Sequence, residues 1–524
     1  MKKMDESMKQ ERYPNLILSA LGKISPQVRI TFLSTLLCGL AAHGTGLMNK
    51  ISYQDDIYNL FGFGATVTSG RWMLHILAWL EGLLFGTGNA SLPLFNGLIS
   101  LTCVGLAGGM LVNLMKIRNR AYCAMLGCIM AAFPVLTALF AYMFTSHPYL
   151  IGMLMMTVCA CLICRDGPWW SRLAGILLGG ASIGVYQAFL PILPSVILMY
   201  DLKLLTREEE KIGGFLRRAG IQTLCVLGVL LFYFAANRFF LAKFQVELSS
   251  YMGIDQMGSM SVSSFLSRCG RAYREFFAPA RDAATDMYPG SLRILHGLLM
   301  AAEGLLALRL LFVTGKRSRG KAVLTALLFA LMPLACNLIF VMSEEVHSLM
   351  VYGQVMQAVL LVWLLDQAEF RQVRVRQAVS LAASLLLAVE GVMYIRFDNQ
   401  CYLKDIFRQQ QAFSYYTTMI TQIKSLEGFD PEMELCVLNA WYTKDPTIYS
   451  LEELDFIHLN TYEGSSGDFM HMTREYFLQN WLGFKVRWYG GTELFSNPEV
   501  QAMPAYPAEG SIRIIDGVVV VKLS

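Results

Sequence analysis

Two stretches of this chain, 92–115 and 121–144, contain no Asp, Glu, Lys or Arg. A bilayer span needs about 20 consecutive apolar residues, so each stretch is long enough to cross alone. The bias extends along the sequence: of 524 residues, 55% are hydrophobic and 16% charged. Soluble domains carry about 45–50% apolar and about 25% charged residues. The expected fold class is therefore a polytopic α-helical membrane protein. A soluble enzyme and a disordered scaffold do not fit this composition. The net charge of +4 is too small and too scattered to attract nucleic acid.

Most of the 12 cysteines lie inside apolar segments, where Cys acts as a small hydrophobe. Cys159-Ala160-Cys161 and Cys164 approach metal-ligand spacing, but no His lies close and Asp166 is a poor fourth zinc ligand. Cys401 and Cys436 form a candidate pair in the tail. The polar, mixed-charge segment Met1–Arg12 does not read as a cleavable signal.

Basic loops stay in the cytoplasm, which allows spans to be counted by parity. Lys2, Lys3, Lys9, Arg12 and Lys23 place residues 1–27 inside as a cytoplasmic N-terminus. Residues 28–48 cross outward, and Lys116, Arg118 and Arg120 mark the next inside loop. Only 92–115 is a full span between them, so 49–91 forms an outer loop, with 72–85 as an amphipathic helix on the membrane surface. Residues 121–144 and 149–164 make the next pair of spans. The apolar stretch 173–202 has inside flanks at both ends, so it is expected to be a hairpin of two short spans broken near Tyr186-Gln187. Further spans fall at 219–236, 292–313, 322–342, 349–365 and 377–395, with a second outer loop at 237–290. The parity count gives about 11 transmembrane helices and an outer C-terminus.

The chain thus divides into 1–27, a transmembrane domain at 28–395 and a tail at 396–524. In the tail, 401–427 reads as a helix and Glu434–Leu438 as a strand, while Ile512–Lys522 reads as a hairpin about Asp516-Gly517. A small extracytoplasmic α+β domain is expected there.

The outer loop opens with Tyr53-Gln54-Asp55-Asp56 just past a span. A carboxylate at that interface can take a proton from a hydroxyl acceptor. It can also hold a divalent ion with waters, or simply cap a helix. Adjacent side chains point in different directions, so one of the two at most faces a given substrate. Gly70-Arg71-Trp72 opens the surface helix. Its Arg suits a phosphate, or it can anchor the helix by snorkelling.

These motifs, with Phe144-Thr145-Ser146-His147-Pro148-Tyr149, Gly184-Val185-Tyr186-Gln187-Ala188 and Phe397-Asp398-Asn399-Gln400, resemble the bacterial type II glucosyl transferase family, known from O-antigen serotype conversion. The similarity covers roughly residues 30–425. The resemblance implies a GT-C-like catalytic domain at 28–395 in a bacterial cytoplasmic (inner) membrane. It implies a glycosyltransferase that moves a sugar, glucose by the family's activity, from a polyprenyl-phosphate donor to a surface or lipid-linked glycan outside the membrane. The family's first-loop acidic pair maps onto Asp55 and Asp56.

The donor's leaving group is an anionic lipid phosphate, so preorganised cations are the main stabilising groups. Arg71 and Arg238 are the first candidates, with Arg271, Arg268 and Arg274 in the second outer loop behind them. Asp55 or Asp56 serves as base in an inverting single displacement. No cofactor is required; the acid pair leaves Mg or Mn use open. Substrate-contact candidates are Tyr53, Gln54, His147, Tyr186, Gln187 and Glu344. Glu345 and His347 share the turn of Glu344, while Glu303 and Glu390 are acids within spans. The rival readings are a lipid-linked sugar flippase or an O-antigen polymerase or ligase. The first would show matching halves with interrupted helices, which this sequence lacks; the second usually relies on a late outer loop rich in Arg and His, whereas here the acid pair sits in the first loop.

Overall fold

The computed structural model describes residues 24–523, apart from 87–88, 208, 250–260, 279–289, 369–371, 439–446 and 458–467. Most of the expected cytoplasmic N-terminus and much of the expected loop 237–290 lie outside the described residues.

Helices dominate. In chain order they are α1 (Pro26–Met48), α2 (Gln54–Tyr58), α3 (Trp72–Phe85), α4 (Pro93–Met115), α5 (Arg120–Ala132), α6 (Val135–Ala141), α7 (Met143–Cys164), α8 (Trp169–Val185), α9 (Ile192–Leu205), α10 (Ile212–Phe244), α11 (Val262–Phe277), α12 (Gly290–Arg317), α13 (Arg319–Cys336), α14 (Leu338–Met342), α15 (Val355–Gln367), α16 (Val373–Lys424), α17 (Asp468–Asn480) and α18 (Pro498–Ala502). Four strands complete the structure: β1 (Glu434–Leu438), β2 (Arg487–Trp488), β3 (Ile512–Ile515) and β4 (Val518–Lys522).

Among the described residues, nine helical segments are long and apolar enough to cross a membrane. The chain is a multi-pass helical membrane protein. Two of the expected spans are not among these nine: their helices, α8 and α15, have 17 and 13 residues. The break in 173–202 occurs at Tyr186, where the backbone turns extended before a short 3-10 turn at Gln187–Phe189. The 121–144 segment is also interrupted, between α5 and α6, because Pro134 cannot continue the hydrogen-bond ladder of α5. The expected helix over 72–85 forms as α3, with Trp72 and Leu74 buried and Trp79, Leu83, Leu84 and Phe85 exposed.

Ser25 caps α1 by accepting from the Val28 amide, and Pro26 starts the helix where no N–H is needed. α1 packs against α4 and α5 through small residues. At Gly127 of α5 an added Cβ would stand 2.5 Å from the Thr31 carbonyl oxygen and 3.1 Å from the Thr35 nitrogen of α1. Only glycine allows that approach, as is common where helices meet inside a bilayer. A polar network reinforces the packing: Thr137 Oγ1 donates to Asp398 at 2.8 Å, while His43 bonds Tyr402 at 3.0 Å and the Ala131 carbonyl at 2.8 Å. Asn399 of the same motif donates to the Ala41 carbonyl at 3.0 Å.

α16 is a single helix of 52 residues. The expected span 377–395 and the expected tail helix therefore join without a break, since no Pro interrupts the segment. At 1.5 Å per residue it reaches about 78 Å, far more than a bilayer crossing requires. Its C-terminal part packs on a four-stranded sheet of order β2-β1-β4-β3. β1 runs parallel to β4 with Leu435 opposite Val519, and β3 and β4 form the antiparallel hairpin. Its turn uses positive φ at both Asp516 (51°) and Gly517 (75°), the geometry a two-residue hairpin favours. Leu435, Val437, Val519 and Val521 face the helices; Cys436, Leu438, Val518 and Val520 face α18. All 12 cysteines are free, including Cys401 in α16 and Cys436 in β1, so the candidate tail pair is not bonded.

Gly127→Ala is expected to lower the thermal midpoint of the detergent-purified protein, at a cost of roughly 1–3 kcal/mol from overpacking. Gly220→Ala, where an added Cβ meets nothing within 4 Å, is expected to leave the midpoint unchanged or raise it, which calibrates the measurement.

Candidate active site

α2 follows α1 after five residues and carries both acids in its first turn. Their environments differ. Asp56 is fully buried, and both of its oxygens are occupied. Oδ2 accepts from Lys50 Nζ at 2.5 Å and Ser52 Oγ at 2.6 Å; Oδ1 accepts from Ser91 Oγ at 2.5 Å and the Phe144 amide at 3.0 Å. Lys50 also reaches Ser91 Oγ at 2.7 Å. A buried carboxylate with this many donors is tightly held. Asn89 donates to the Phe144 carbonyl, and Asn96 to the Met143 carbonyl at 3.1 Å, which fixes the start of α7 beside the acid.

Asp55 is only half-buried. Burial pushes its carboxyl up from 3.8 to about 6; the Arg71 charge pulls the other way and Asp56 adds to the rise. Such a group changes charge near neutral pH, which suits a proton acceptor.

Arg71 lies at the start of α3. Its Nη1 donates to Tyr149 Oη at 2.9 Å. Its guanidinium carbon lies 5.1 Å from the centroid of the Tyr186 ring and 5.8 Å from that of Tyr149. Those rings stack at 4.3 Å with planes 3° apart. The neighbouring Gly70 adopts φ 70°, and an added Cβ would stand 2.7 Å from Tyr233 Oη and 2.9 Å from Gln187 Nε2. Gln187 Nε2 donates to the Ser69 carbonyl at 2.8 Å, while Tyr233 Oη donates to the Gly70 carbonyl at 3.2 Å. Trp72 stacks on Phe240 of α10 at 5.5 Å. The Gly70-Arg71-Trp72 motif is thus clamped between the α8–α9 break and α10.

His147 is buried in α7 and pairs through Nε2 with Glu81 Oε1 of α3 at 2.5 Å. Sequence reading singled out His147 without its partner. The signal was present: Glu81 is the only acid in the otherwise apolar α3, and a carboxylate in such a helix needs a partner. Tyr149 was quoted only within the 144–149 motif, with no role of its own, and Lys50, Ser52 and Ser91 were missed, because ordinary Lys and Ser residues give no local sign of their role.

The Tyr53 ring meets Tyr142 at 5.5 Å. The Gln54 side chain lies outside the described residues. Arg238 is exposed on α10, two residues before Phe240. Arg271 and Glu344 come together with each other: Arg271 Nη1 donates to the Glu344 carbonyl at 2.7 Å, and Arg268 pairs with the Glu344 carboxylate at 3.3 Å. Glu303 and Glu390 line a small pocket with His296, Gln354 and Tyr394. That lining holds two carboxyl groups and no Lys or Arg.

Asp55 follows the end of α1, Arg71 lies at the start of α3, Tyr149 lies within the first two turns of α7, and Tyr186 ends α8. Acid, cation and aromatic groups from different helices therefore meet at helix ends in a multi-pass membrane protein. The glucosyl transferase GtrII family matches residues 44–358, more than half of the chain, and the chain belongs to that family. Membership makes it a glycosyltransferase in the general sense. The matched range includes every one of these groups and ends before the sheet. No curated protein and no solved structure matches the chain.

Asp56→Ala strands Lys50, Ser52, Ser91 and the Phe144 amide together. It is expected to cost on the order of 2–4 kcal/mol, read as a lowered thermal midpoint in detergent. Asp55→Ala, which removes a carboxyl whose burial is unfavourable, is expected to leave the midpoint unchanged or raise it.

Proposed function

We propose that the chain transfers glucose from a polyprenyl-phosphate carrier to a glycan acceptor at the outer face of a bacterial cytoplasmic membrane, inverting the sugar in a single displacement. The N-terminus is then cytoplasmic and the tail from 396 extracytoplasmic. The observation that carries this reading is Asp55: a half-buried carboxyl with a raised pKa, within the electrostatic reach of an arginine seated on two tyrosines.

In this mechanism Asp55 accepts the proton of the acceptor hydroxyl as its oxygen attacks the anomeric carbon. The bond from that carbon to the phosphate oxygen breaks on the opposite side, and its electron pair leaves with the lipid phosphate. Charge grows on that phosphate, and a cation already in position stabilises it without reorganising. Arg71 fills that role, with the Tyr149–Tyr186 stack fixing its plane. Arg238 and Arg271 are further cations for the donor. Tyr53, Gln54, His147, Tyr186, Gln187 and Glu344 are the sugar-contact candidates. The exposed apolar flank of α3, with Leu83, Leu84 and Phe85, offers a wall for the prenyl tail.

Both oxygens of Asp56 are already taken by donors, so the pair presents at most Asp55 to a divalent ion. That donor set does not fit a Mg or Mn site, and no step runs through a metal. Asp56 instead holds α2 in place.

The base form of Asp55 predominates above about 6. Donor consumption is therefore expected to fall as pH drops through 6. Stability has the opposite sign. A carboxyl raised from 3.8 to about 6 contributes stability that is full below 3.8 and lost as pH rises through about 6.

The test is a transfer assay on purified protein with synthetic polyprenyl-phosphate glucose and a bacterial envelope glycan extract. Asp55→Asn is expected to lower kcat by about 100- to 10,000-fold, with the fold intact and no effect of EDTA on wild type. If wild type leaves the donor untouched, the transfer reading is overturned, and a reconstituted flipping assay tests the rival. If Asp55→Asn turns over normally, the base assignment fails.

A further inference from the structure

A helix of five residues cannot hold its own geometry in water, because the nucleating turn costs more than so few bonds return. α2 carries Asp55 and must be held from outside. Asp56 anchors its inner side. Its other contacts lead to a part of the chain beyond the family match, which ends at 358.

Ile57 is fully buried and belongs to the same apolar cluster as Tyr416 and Met419 of α16 and Phe477 and Leu478 of α17, and α2 packs against α17. The Tyr58 ring meets the Tyr476 ring of α17 edge to face, 5.3 Å apart at 86°. At the other end of the segment, Gln409 Nε2 of α16 donates to the Lys50 carbonyl at 3.2 Å. Lys50 is the residue whose Nζ binds Asp56. The segment 50–58 is therefore gripped at both ends by the C-terminal unit, and α16 links that unit to the transmembrane helices without a break.

We propose that the C-terminal unit is the positioning element for the acid helix, with Tyr476 and Gln409 as its positioning residues. The proposal rests on the reading of Asp55 as general base. Neither residue touches a reacting atom. Tyr476 sets the tilt of α2 through Tyr58, and Gln409 sets the register of the loop through Lys50. A base displaced by about 1 Å loses roughly 100-fold in rate, although the substrate still binds.

The experiment uses the full chain. Tyr476→Ala and Gln409→Ala are expected to lower kcat by about 10- to 100-fold with KM for polyprenyl-phosphate glucose within about twofold. Tyr476→Phe keeps the ring contact and is expected to restore kcat. Val500→Ala, a cavity on the opposite face of the sheet, controls for general loosening of the unit and is expected to leave kcat unchanged. Hydrogen–deuterium exchange reads the same coupling without turnover: amides 53–58 exchange faster in Tyr476→Ala and as in wild type in Tyr476→Phe. Unchanged kcat and unchanged exchange at 53–58 in Tyr476→Ala overturn the proposal, as does a Val500→Ala variant that loses activity equally. If wild type consumes no donor, the transferase reading fails, and the exchange measurement still decides whether the unit holds α2.

Discussion

The Asp56 carboxylate joins three segments far apart in sequence. Lys50 and Ser52 reach it from before α2, Ser91 from the approach to α4, and the Phe144 amide from the start of α7. Each donor taken alone is worth little, because folding exchanges it for water. Together they satisfy a charge that could not otherwise be buried. Once that junction is closed, the end of α1, the loop before α4 and the start of α7 have one relative position. Asp55, the next residue back, is left half-buried within the electrostatic reach of Arg71.

The second half of the site is built on close approach. Gly70 sits where a side chain would strike Tyr233 and Gln187, and Gly184 where one would strike Trp72. These contacts let the start of α3 lie against the break between α8 and α9. At the break Tyr186 stacks with Tyr149, and the guanidinium of Arg71 lies over both. A cation held in this way has already lost much of its rotamer freedom. That is the condition under which a charge stabilises a developing anion most effectively.

The long helix α16 does two jobs. Within the span region, Asp398 and Asn399 bind Thr137 and the Ala41 carbonyl, so the helix is tied to α1 and α6. Beyond it, Gln409 and the α16 residues of the C-terminal core reach the segment 50–58. The Phe397-Asp398-Asn399-Gln400 motif thus belongs to the scaffold, not to the Asp55–Arg71 grouping.

What the sequence could disclose was local. Uncharged runs marked the helices, and inside-basic flanks required a break near Tyr186. The alternation around Asp516-Gly517 marked a hairpin. Each signal lies within a few turns of chain, where backbone hydrogen bonding and solvent transfer fix the outcome. Tyr53–Asp56 and Gly70–Trp72 were visible as motifs for the same reason. Which acid faces outward, the Glu81–His147 pair and the seat of Arg71 on Tyr149 and Tyr186 depended on contacts between residues tens of positions apart. So did the join between 50–58 and a tail some 360 residues later. No local preference encodes those distances; they follow from how the helices pack, and only the tertiary structure decided them.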